Sequence, residues 1–385
     1  MNLKDKSLDL HKKYQGKIEI KLKANLTDYE DLAWAYSPGV SEPCIVINDD
    51  VRKVYDLTSK SNTVAVITDA SAVLGLGKIK PEASLPVMEG KAMLLKRFAG
   101  VNAYPLCLNT KSPEEFIAVC EALEPSLGGI NLEDIKAPEC VFIENELKKR
   151  LSIPVFHDDQ HGTAIVTLAA LINALKLVNK RLEDLVVALC GTGAAGSAIA
   201  KLLNKVGVKT IYAYNIDGVV KESLKNDEVV KDLLSNEIIR FKKDAKTLSD
   251  IMCGADVFIG VSIGDIVTAN MVKSMSDNPI IFALANPIPE INPEIAKSAG
   301  AAIIGTGRSD YPNQINNVLA FPGVFKGLLE ARISDINDQH YISAAYAIAN
   351  ILNENELSST HILPSVFDER VVQEVSKSIK KITSS

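Results

Sequence analysis

The stretch Asp184-Leu185-Val186-Val187-Ala188-Leu189-Cys190-Gly191-Thr192-Gly193-Ala194-Ala195-Gly196 decides the fold of this chain. Its first seven residues read as an apolar strand, and a full G-x-G-x-x-G follows at Gly191, Gly193 and Gly196. Ser197 to Leu203 continues as a helix, and Thr210-Ile211-Tyr212-Ala213-Tyr214-Asn215 is a second strand. A bare glycine pattern is weak. Strand, glycines, helix and strand in this order form a βαβ unit of the kind that holds a dinucleotide. The first glycine makes the turn, the second lets the backbone approach a pyrophosphate, and the third packs helix on strand. Backbone N–H groups at the helix start, around Ala194 and Ala195, then take the phosphate. The acid that holds the adenosine ribose is expected ~20 residues on. Here the strand ends Asn215-Ile216-Asp217-Gly218, with no arginine or lysine beside Asn215 to receive a 2′-phosphate and with Asp217 placed to repel one. NAD is expected over NADP.

Downstream, Ala255 to Gly260, Pro279 to Leu284 and Ala302 to Gly305 read as further strands of this sheet. The first runs into Gly260-Val261-Ser262-Ile263-Gly264, which literally matches the G-x-S-x-G of a hydrolase elbow. In this context it is a strand-end loop over the cofactor, since the histidines that follow, His340 and His361, carry no triad signature. The second strand ends Ala285-Asn286-Pro287-Ile288-Pro289-Glu290. The third leads into Gly307 to Asn317, a polar loop that includes Asn316 and is dense in amide donors. Amides at strand ends suit a carboxylate or carbonyl substrate, or else a hydrogen-bonded turn. Phe321 to Ser385 reads as helices that pack back over one of the domains.

Upstream lies Pro154-Val155-Phe156-His157-Asp158-Asp159-Gln160-His161-Gly162-Thr163-Ala164, an apolar entry followed by paired carboxylates and histidines, with an alanine-rich helix from Ile165 to Val178. Asp158-Asp159 allows a metal site, an acid/base pair or a helix cap, and His-x-x-x-His allows a transition metal. Gly128 to Asp134 repeats the device with Glu133 and Asp134. Hard divalent cations want several oxygen ligands, so these two with one of the later pair make a candidate metal site, against helix capping or surface charge. Before it, Val64 to Asp69 is a buried strand, and a helix starting at Gly90 would put Lys91 in a first turn. The helix dipole disfavours an ammonium there and hints at a lysine of lowered pKa; a solvated lysine is the plainer reading. Tyr36, in Ala35-Tyr36-Ser37-Pro38-Gly39, sits where the chain turns and reads by itself as a turn or core aromatic. Residues 1 to 30 are charged and read as a helical, solvated arm or dimer-packing element.

At 385 residues the chain suits two domains that need no disulfides. Its six cysteines are scattered, without a Cys-x-x-Cys pair, which suits a reducing cytoplasm; they read mostly as small buried hydrophobes. The start lacks the apolar core of a signal peptide, and no later apolar run reaches the ~20 residues of a membrane span. A net charge of −6 without a long basic run leaves no footprint for nucleic acid. A small-molecule partner is expected, with no nucleic acid and no membrane.

Together these pieces resemble the malic enzymes of the short bacterial and archaeal type. The likeness runs in the family's order through Tyr36 to Val40, Val73-Leu74-Gly75-Leu76-Gly77, Pro86 to Ala92, Asn131 to Asp134, Phe156 to Ala164, Gly191 to Gly196, Asn286-Pro287, Thr306 to Gln314 and Asn316-Asn317. It implies an α/β protein, with an N-terminal α/β substrate domain (1–160) that binds metal and dimerises, then a doubly wound Rossmann-type NAD-binding domain (161–385). The implied reaction is oxidative decarboxylation of malate to pyruvate and CO₂. Lys91 matches the base for the C2 hydroxyl, with Asp158 as its charged neighbour, and Tyr36 matches the acid that protonates C3 of enolpyruvate. Glu133, Asp134 and Asp159 match the ligands of Mg²⁺ or Mn²⁺. Asn286, Asn317 and Asn316 match the substrate amides, and Ser262 and Ile263, with Asn286 again, would face the cofactor. His157 and His161 then become supporting residues rather than zinc ligands. A homodimer is implied, with Tyr36 completing either its own or the neighbouring site.

Four positions depart from the family. Asn215 stands where many relatives carry Asp, which passes the ribose contact to Asp217 or weakens it. Lys78 and Lys80 make a loop more basic than usual, which reads as solvated. Ala72 stands where longer eukaryotic relatives place an arginine on malate, so another group pairs the second carboxylate or selectivity is looser. The alternatives are an enzyme acting mainly as an oxaloacetate decarboxylase, an NADP-preferring malic enzyme, and a degenerate nucleotide-sensing protein.

Overall fold

A computed structural model describes residues 3–73, 75–221 and 228–382. Leu74 of the glycine-rich loop and residues 383–385 of the C-terminal helical stretch lie outside them. Two sheets organise the chain. The smaller has four parallel strands, β1 (Thr63–Thr68), β2 (Asn102–Cys107), β3 (Gly129–Leu132) and β4 (Val155–His157), in the order β2-β1-β3-β4. The larger holds β5 (Val186–Cys190), β6 (Thr210–Asn215), β7 (Gly218–Val219), β8 (Val257–Gly260), β9 (Ile280–Ala283) and β10 (Ile303–Thr306), in the order β10-β9-β8-β5-β6-β7. Only β7 runs antiparallel, folding back on the end of β6. Every residue of β1, β3, β4, β8 and β9 is buried, so these strands are covered on both faces, as parallel strands flanked by helices are.

In each sheet the order reverses beside the first strand, between β1 and β3 and between β5 and β8. Loops diverge at such switch points and leave a crevice at the carboxyl ends. The helix Thr163–Val178 joins the two sheets. Ala164 through Leu175 are all buried, and the helix stops at Asn179, which takes a left-handed conformation (φ 52°). With the turn before it, the helical stretch Asp158–Val178 is long and apolar enough to cross a membrane by length and composition, contrary to the sequence expectation. Its most apolar window is 72% buried inside the protein, as a core helix is.

One hydrophobic cluster unites Val64, Val66 and Phe156 of the smaller sheet with Val187 and Ile259 of the larger. The C-terminal helices Phe321–Ala331, Asp338–Ala349 and Glu369–Ile382 join it. They straddle the seam: Phe325 packs edge-on against Phe156, with ring centroids 5.8 Å apart, and a Cβ on Gly128 would meet Leu329 at 2.8 Å. At the other end of the chain none of residues 3–59 is buried. The cysteines divide differently from expectation: Cys120, Cys140 and Cys190 are buried, but Cys44 and Cys253 are exposed.

Candidate active site

Two strands of the smaller sheet end in acids. β3 runs into Glu133 and Asp134, and Asp134 adopts a left-handed backbone (φ 55°) that aims its N–H at Asp159 Oδ2, 2.8 Å away. β4 runs into a π-helical turn, Asp158–Gly162, which presents both aspartates ahead of the long buried helix. One carboxylate oxygen each from Glu133, Asp134 and Asp159 lie within 4.8 Å of one another. Burial and the neighbouring acids hold Glu133 well above the usual carboxylate range, although Lys91 opposes them. Crowded hard oxygen donors of this kind fit Mg²⁺ or Mn²⁺, whose charge would relieve the repulsion.

Lys91 lies near the C-terminal end of the helix Pro81–Leu94, so the expected helix start at Gly90 is corrected. Pro81 occupies the first turn, where its missing N–H costs nothing, and Pro86 is accommodated in the interior. The Lys91 ammonium bonds Asp158, stands 3.0 Å from Glu133 Oε1 and lies 4.7 Å above the Phe321 ring. Burial lowers its pKa, but Asp158, Glu133 and Asp159 outweigh burial, and the net shift is upward. The lowered pKa expected from a first-turn position is therefore also corrected.

Asp158 is the meeting point of the two sheets. It follows β4, and its Oδ2 accepts from Lys91 and from Asn317 Nδ2 (2.5 Å), which comes from the loop after β10. Burial pushes its carboxyl up to about 6 against the pull of Lys91. Its Oδ1 is buried and without a partner among the described residues. A Cβ on Gly162 would lie 1.9 Å from that oxygen, so the turn requires glycine there.

The histidines stand behind the acids. His157 is fully buried with neither ring nitrogen hydrogen-bonded among the described residues, and its Nδ1 is 3.9 Å from Asp159 Oδ2. His161 Nε2 lies 2.8 and 2.9 Å from the two oxygens of Glu144, and its ring stacks on Tyr341 at 4.3 Å. Glu144 also accepts from Gln160 Nε2 at 3.1 Å and pairs with Lys148 at 2.8 Å. This buried acid, which braces the turn from behind, was not singled out in the sequence. A signal exists: Cys140, Ile143, Glu144 and Leu147 are the buried face of one helix, so a charge falls on an apolar stripe.

The three glycines after β5 differ in what surrounds them. Gly191 has φ 106°, and a Cβ on Gly196 would meet Gly191 O at 1.9 Å, whereas one on Gly193 would meet nothing within 4 Å. The helix Ala194–Lys205 opens there and packs against the Asp158–Gly162 turn, bringing the phosphate-type loop to the acids. At the end of β6, Asn215 donates to Thr192 Oγ1 (3.2 Å) and accepts the Asp217 N–H (2.9 Å). Ser262 follows β8 beside Cys190 Sγ (3.2 Å), and neither His340 nor His361 bonds it, so the hydrolase-like match is a strand-end loop. Its neighbour Ile263 is exposed.

Asn286, joined to Pro287 by a cis peptide, follows β9; a Cβ on Gly75 of the smaller sheet's loop would lie 3.4 Å from the Pro287 ring. Asn316 accepts the Val318 N–H (3.0 Å) and so caps a short turn, while its neighbour Asn317 reaches the acids. Ala72 donates its N–H to Asp134 O (2.9 Å), and Lys78 and Lys80 are exposed. Tyr36 is 68% exposed, and no described hydrogen bond joins its hydroxyl to the cluster.

Known proteins match this chain along its length. Residues 160–383 match the family description "Malic enzyme, NAD binding domain", and residues 15–115 match "Malic enzyme, N-terminal domain". The chain is 52% identical over 385 residues to a bifunctional malic/malolactic enzyme of Bacillus subtilis, covering 99% of this chain and 93% of that protein. An NAD-dependent malic enzyme of Geobacillus stearothermophilus is 50% identical, over 98% of this chain and 78% of its own length. Relatives whose names give NADP in place of NAD match as well. The crystal structure of an NAD-dependent malic enzyme from Thermotoga maritima superposes with a TM-score of 0.93 at 46% identity, covering 97% of this chain and 98% of that one.

Proposed function

The chain belongs to the malic enzyme family, and from that premise we propose that it converts (S)-malate to pyruvate and CO₂ while reducing NAD, with a divalent cation. The observation that carries the reading is Asp158, where the ammonium of Lys91 and the amide of Asn317 meet beside the carboxylate trio.

Glu133, Asp134 and Asp159 would hold Mg²⁺ or Mn²⁺, which supplies Lewis-acid stabilisation of negative charge on the substrate oxygens. Lys91 would take the proton of the C2 hydroxyl, and NAD held at the Gly191–Gly196 turn would supply the hydride acceptor for C2. For that the lysine must shed its own proton. Glu133 and Asp159, two of the three carboxylates that raise its pKa, belong to the cation trio, so a cation held there would offset their part of the field and leave Asp158 as the main group favouring the ammonium. Asp158 holds the amine in place and stabilises it after protonation. Asn317 and Asn286 orient the substrate carboxylate. Once C2 is a carbonyl the C–C bond to the leaving carboxylate breaks, and Tyr36 delivers a proton to C3. The same acids and tyrosine also suit decarboxylation of oxaloacetate as a side activity.

Tyr36 stands on a segment, residues 3–59, in which no residue is buried and Ile20, Leu22, Trp34 and Val51 are exposed. A second copy covering this segment would bring Tyr36 to the partner's Lys91. NAD is favoured because the turn at Asn215 to Gly218 offers Asp217 and no cation to a 2′-phosphate. The free, scattered cysteines fit a reducing cytoplasm. An initial-rate assay with malate and Mn²⁺, comparing NAD with NADP, tests the reading. It requires malate-dependent NADH formation with pyruvate as product, and oxaloacetate decarboxylation without malate oxidation would overturn it.

A further inference from the structure

Glu290 is completely buried, and among the described residues no lysine, arginine or histidine pairs with it. An aliphatic side chain would fill the same space without the cost of burying a carboxyl group. Besides its own backbone N–H and the Ser262 hydroxyl, the carboxylate takes two backbone amides from two different loops. Its Oε1 accepts the Ser262 N–H at 2.9 Å, and its Oε2 accepts the Ala285 N–H at 3.0 Å. Ser262 follows β8, and Ala285 follows β9 immediately before Asn286. The backbones of the two loops also pair, Asp265 N–H to Pro289 O at 3.0 Å and Val267 N–H to Glu290 O at 2.9 Å.

Two glycines make the room. A Cβ on Gly260 would stand 2.4 Å from Glu290 Cδ, and one on Gly264 would stand 2.6 Å from Ile288 Cβ. The first loop abuts the phosphate-type turn, since a Cβ on Gly191 would meet Val261 O at 2.8 Å. The second abuts the substrate side, where a Cβ on Gly307 would meet Asn286 Nδ2 at 2.7 Å.

We propose that Glu290 is a positioning residue that ties the Ser262–Ile263 loop to the Asn286 loop, so that the cofactor held by one and the substrate held by the other meet at a fixed spacing. This rests on the malic enzyme reading, which puts NAD at the first loop and malate at the second. Reaction rate depends steeply on such spacing.

The test compares wild type with Glu290→Gln, whose amide NH₂ would face one of the two N–H donors. Calorimetry on the Mn²⁺-loaded enzyme measures NAD and oxalate, a non-reacting dianion, each alone and then together. Expected are single-ligand affinities within about threefold of wild type, loss of the mutual tightening between NAD and oxalate, and kcat reduced about tenfold or more. Unchanged kcat and coupling with only a lower Tm would overturn the proposal, as would a wild type without coupling. Gly260→Ala pushes on Glu290 from the opposite side and should reproduce the phenotype, with Gly260→Ala/Glu290→Asp recovering coupling through the shorter acid. If Glu290→Gln does not fold, that pair carries the test. A wild type that makes no NADH from malate would sink the malic enzyme reading, while the binding coupling would still decide the role of Glu290.

Discussion

Lys91 stands under opposing influences: burial favours the neutral amine, while three carboxylates and the Phe321 ring beneath it favour the ammonium. Replacing it with alanine removes the base while leaving the glycine turn after β5 untouched. Lys91→Ala should lower kcat for malate by about 10²–10⁴-fold, as expected for loss of a general base, with NAD affinity by calorimetry unchanged. Near-normal turnover would end the assignment. The identity of Lys91 was legible from the motif around it, but its surroundings were not, because Asp158 lies far along the chain and the helix, read as starting at Gly90, begins at Pro81 and continues through Pro86. Lys17 of the N-terminal arm, also far away in sequence, donates to the Pro86 carbonyl at 2.6 Å.

Glu144 offers a second residue-scale test. Burial would raise its carboxyl, yet His161 and Lys148 outweigh burial and hold it far below its ordinary value of 4.5. Burial also holds His161 below its own ordinary value, so near neutral pH Lys148 is the main charged support. A depressed carboxyl contributes its stability above the unfolded value and loses it as pH falls below that. Urea midpoints of wild type and Glu144→Gln should therefore differ most at neutral pH and converge below about pH 4.5. A gap independent of pH would show that Glu144 acts by packing alone.

Among the elements, the π-helical turn Asp158–Gly162 is the most constrained. It carries acids on one side and Gln160 and His161 on the other, and Gly162 leaves room for Asp158. Gly162→Ala should displace Asp158 from Lys91 and Asn317, destabilise the fold by about 1–3 kcal/mol and lower Mn²⁺ affinity measured by calorimetry. Native Mn²⁺ binding in that variant would separate the turn from the cation site. The helix that follows was legible as an apolar run, and the strands after it were legible because strand, glycines and helix are consecutive in sequence. The pairing of its Asn173 was not: Nδ2 donates to Ala349 O (2.9 Å) and Ile362 O (3.0 Å), both far downstream. Asn173→Ala should cost about 1–3 kcal/mol in urea unfolding, since it leaves two buried carbonyls without their donor.

For the whole molecule, the open surface of residues 3–59 and the exposure of Tyr36, which no described hydrogen bond joins to the cluster, make the assembly testable. Tyr36→Phe and Lys91→Ala should each be nearly inactive as purified proteins. If each site combines Lys91 of one protomer with Tyr36 of its partner, unfolding, mixing and refolding the two should restore about a quarter of wild-type activity, because half the dimers then hold one intact site. No recovery would place both residues in one chain. Removing divalent cations with EDTA should abolish malate oxidation, and Mn²⁺ or Mg²⁺ should restore it; full activity in EDTA would remove the role given to Glu133, Asp134 and Asp159.

At this scale the sequence indicated two sheets but not their fusion, since the helices that bridge them come from opposite sides of the glycine turn in sequence. That fusion reaches beyond the site. Because Thr163–Val178 and the C-terminal helices bury both sheets in one cluster, neither half can be cut away cleanly. Expression of residues 161–385 alone would bare the face that Phe156 and Val64 cover, and the fragment should be recovered in inclusion bodies. The intact chain should melt in a single calorimetric transition, and NAD, although held by one sheet, should protect peptide amides of the other from hydrogen exchange.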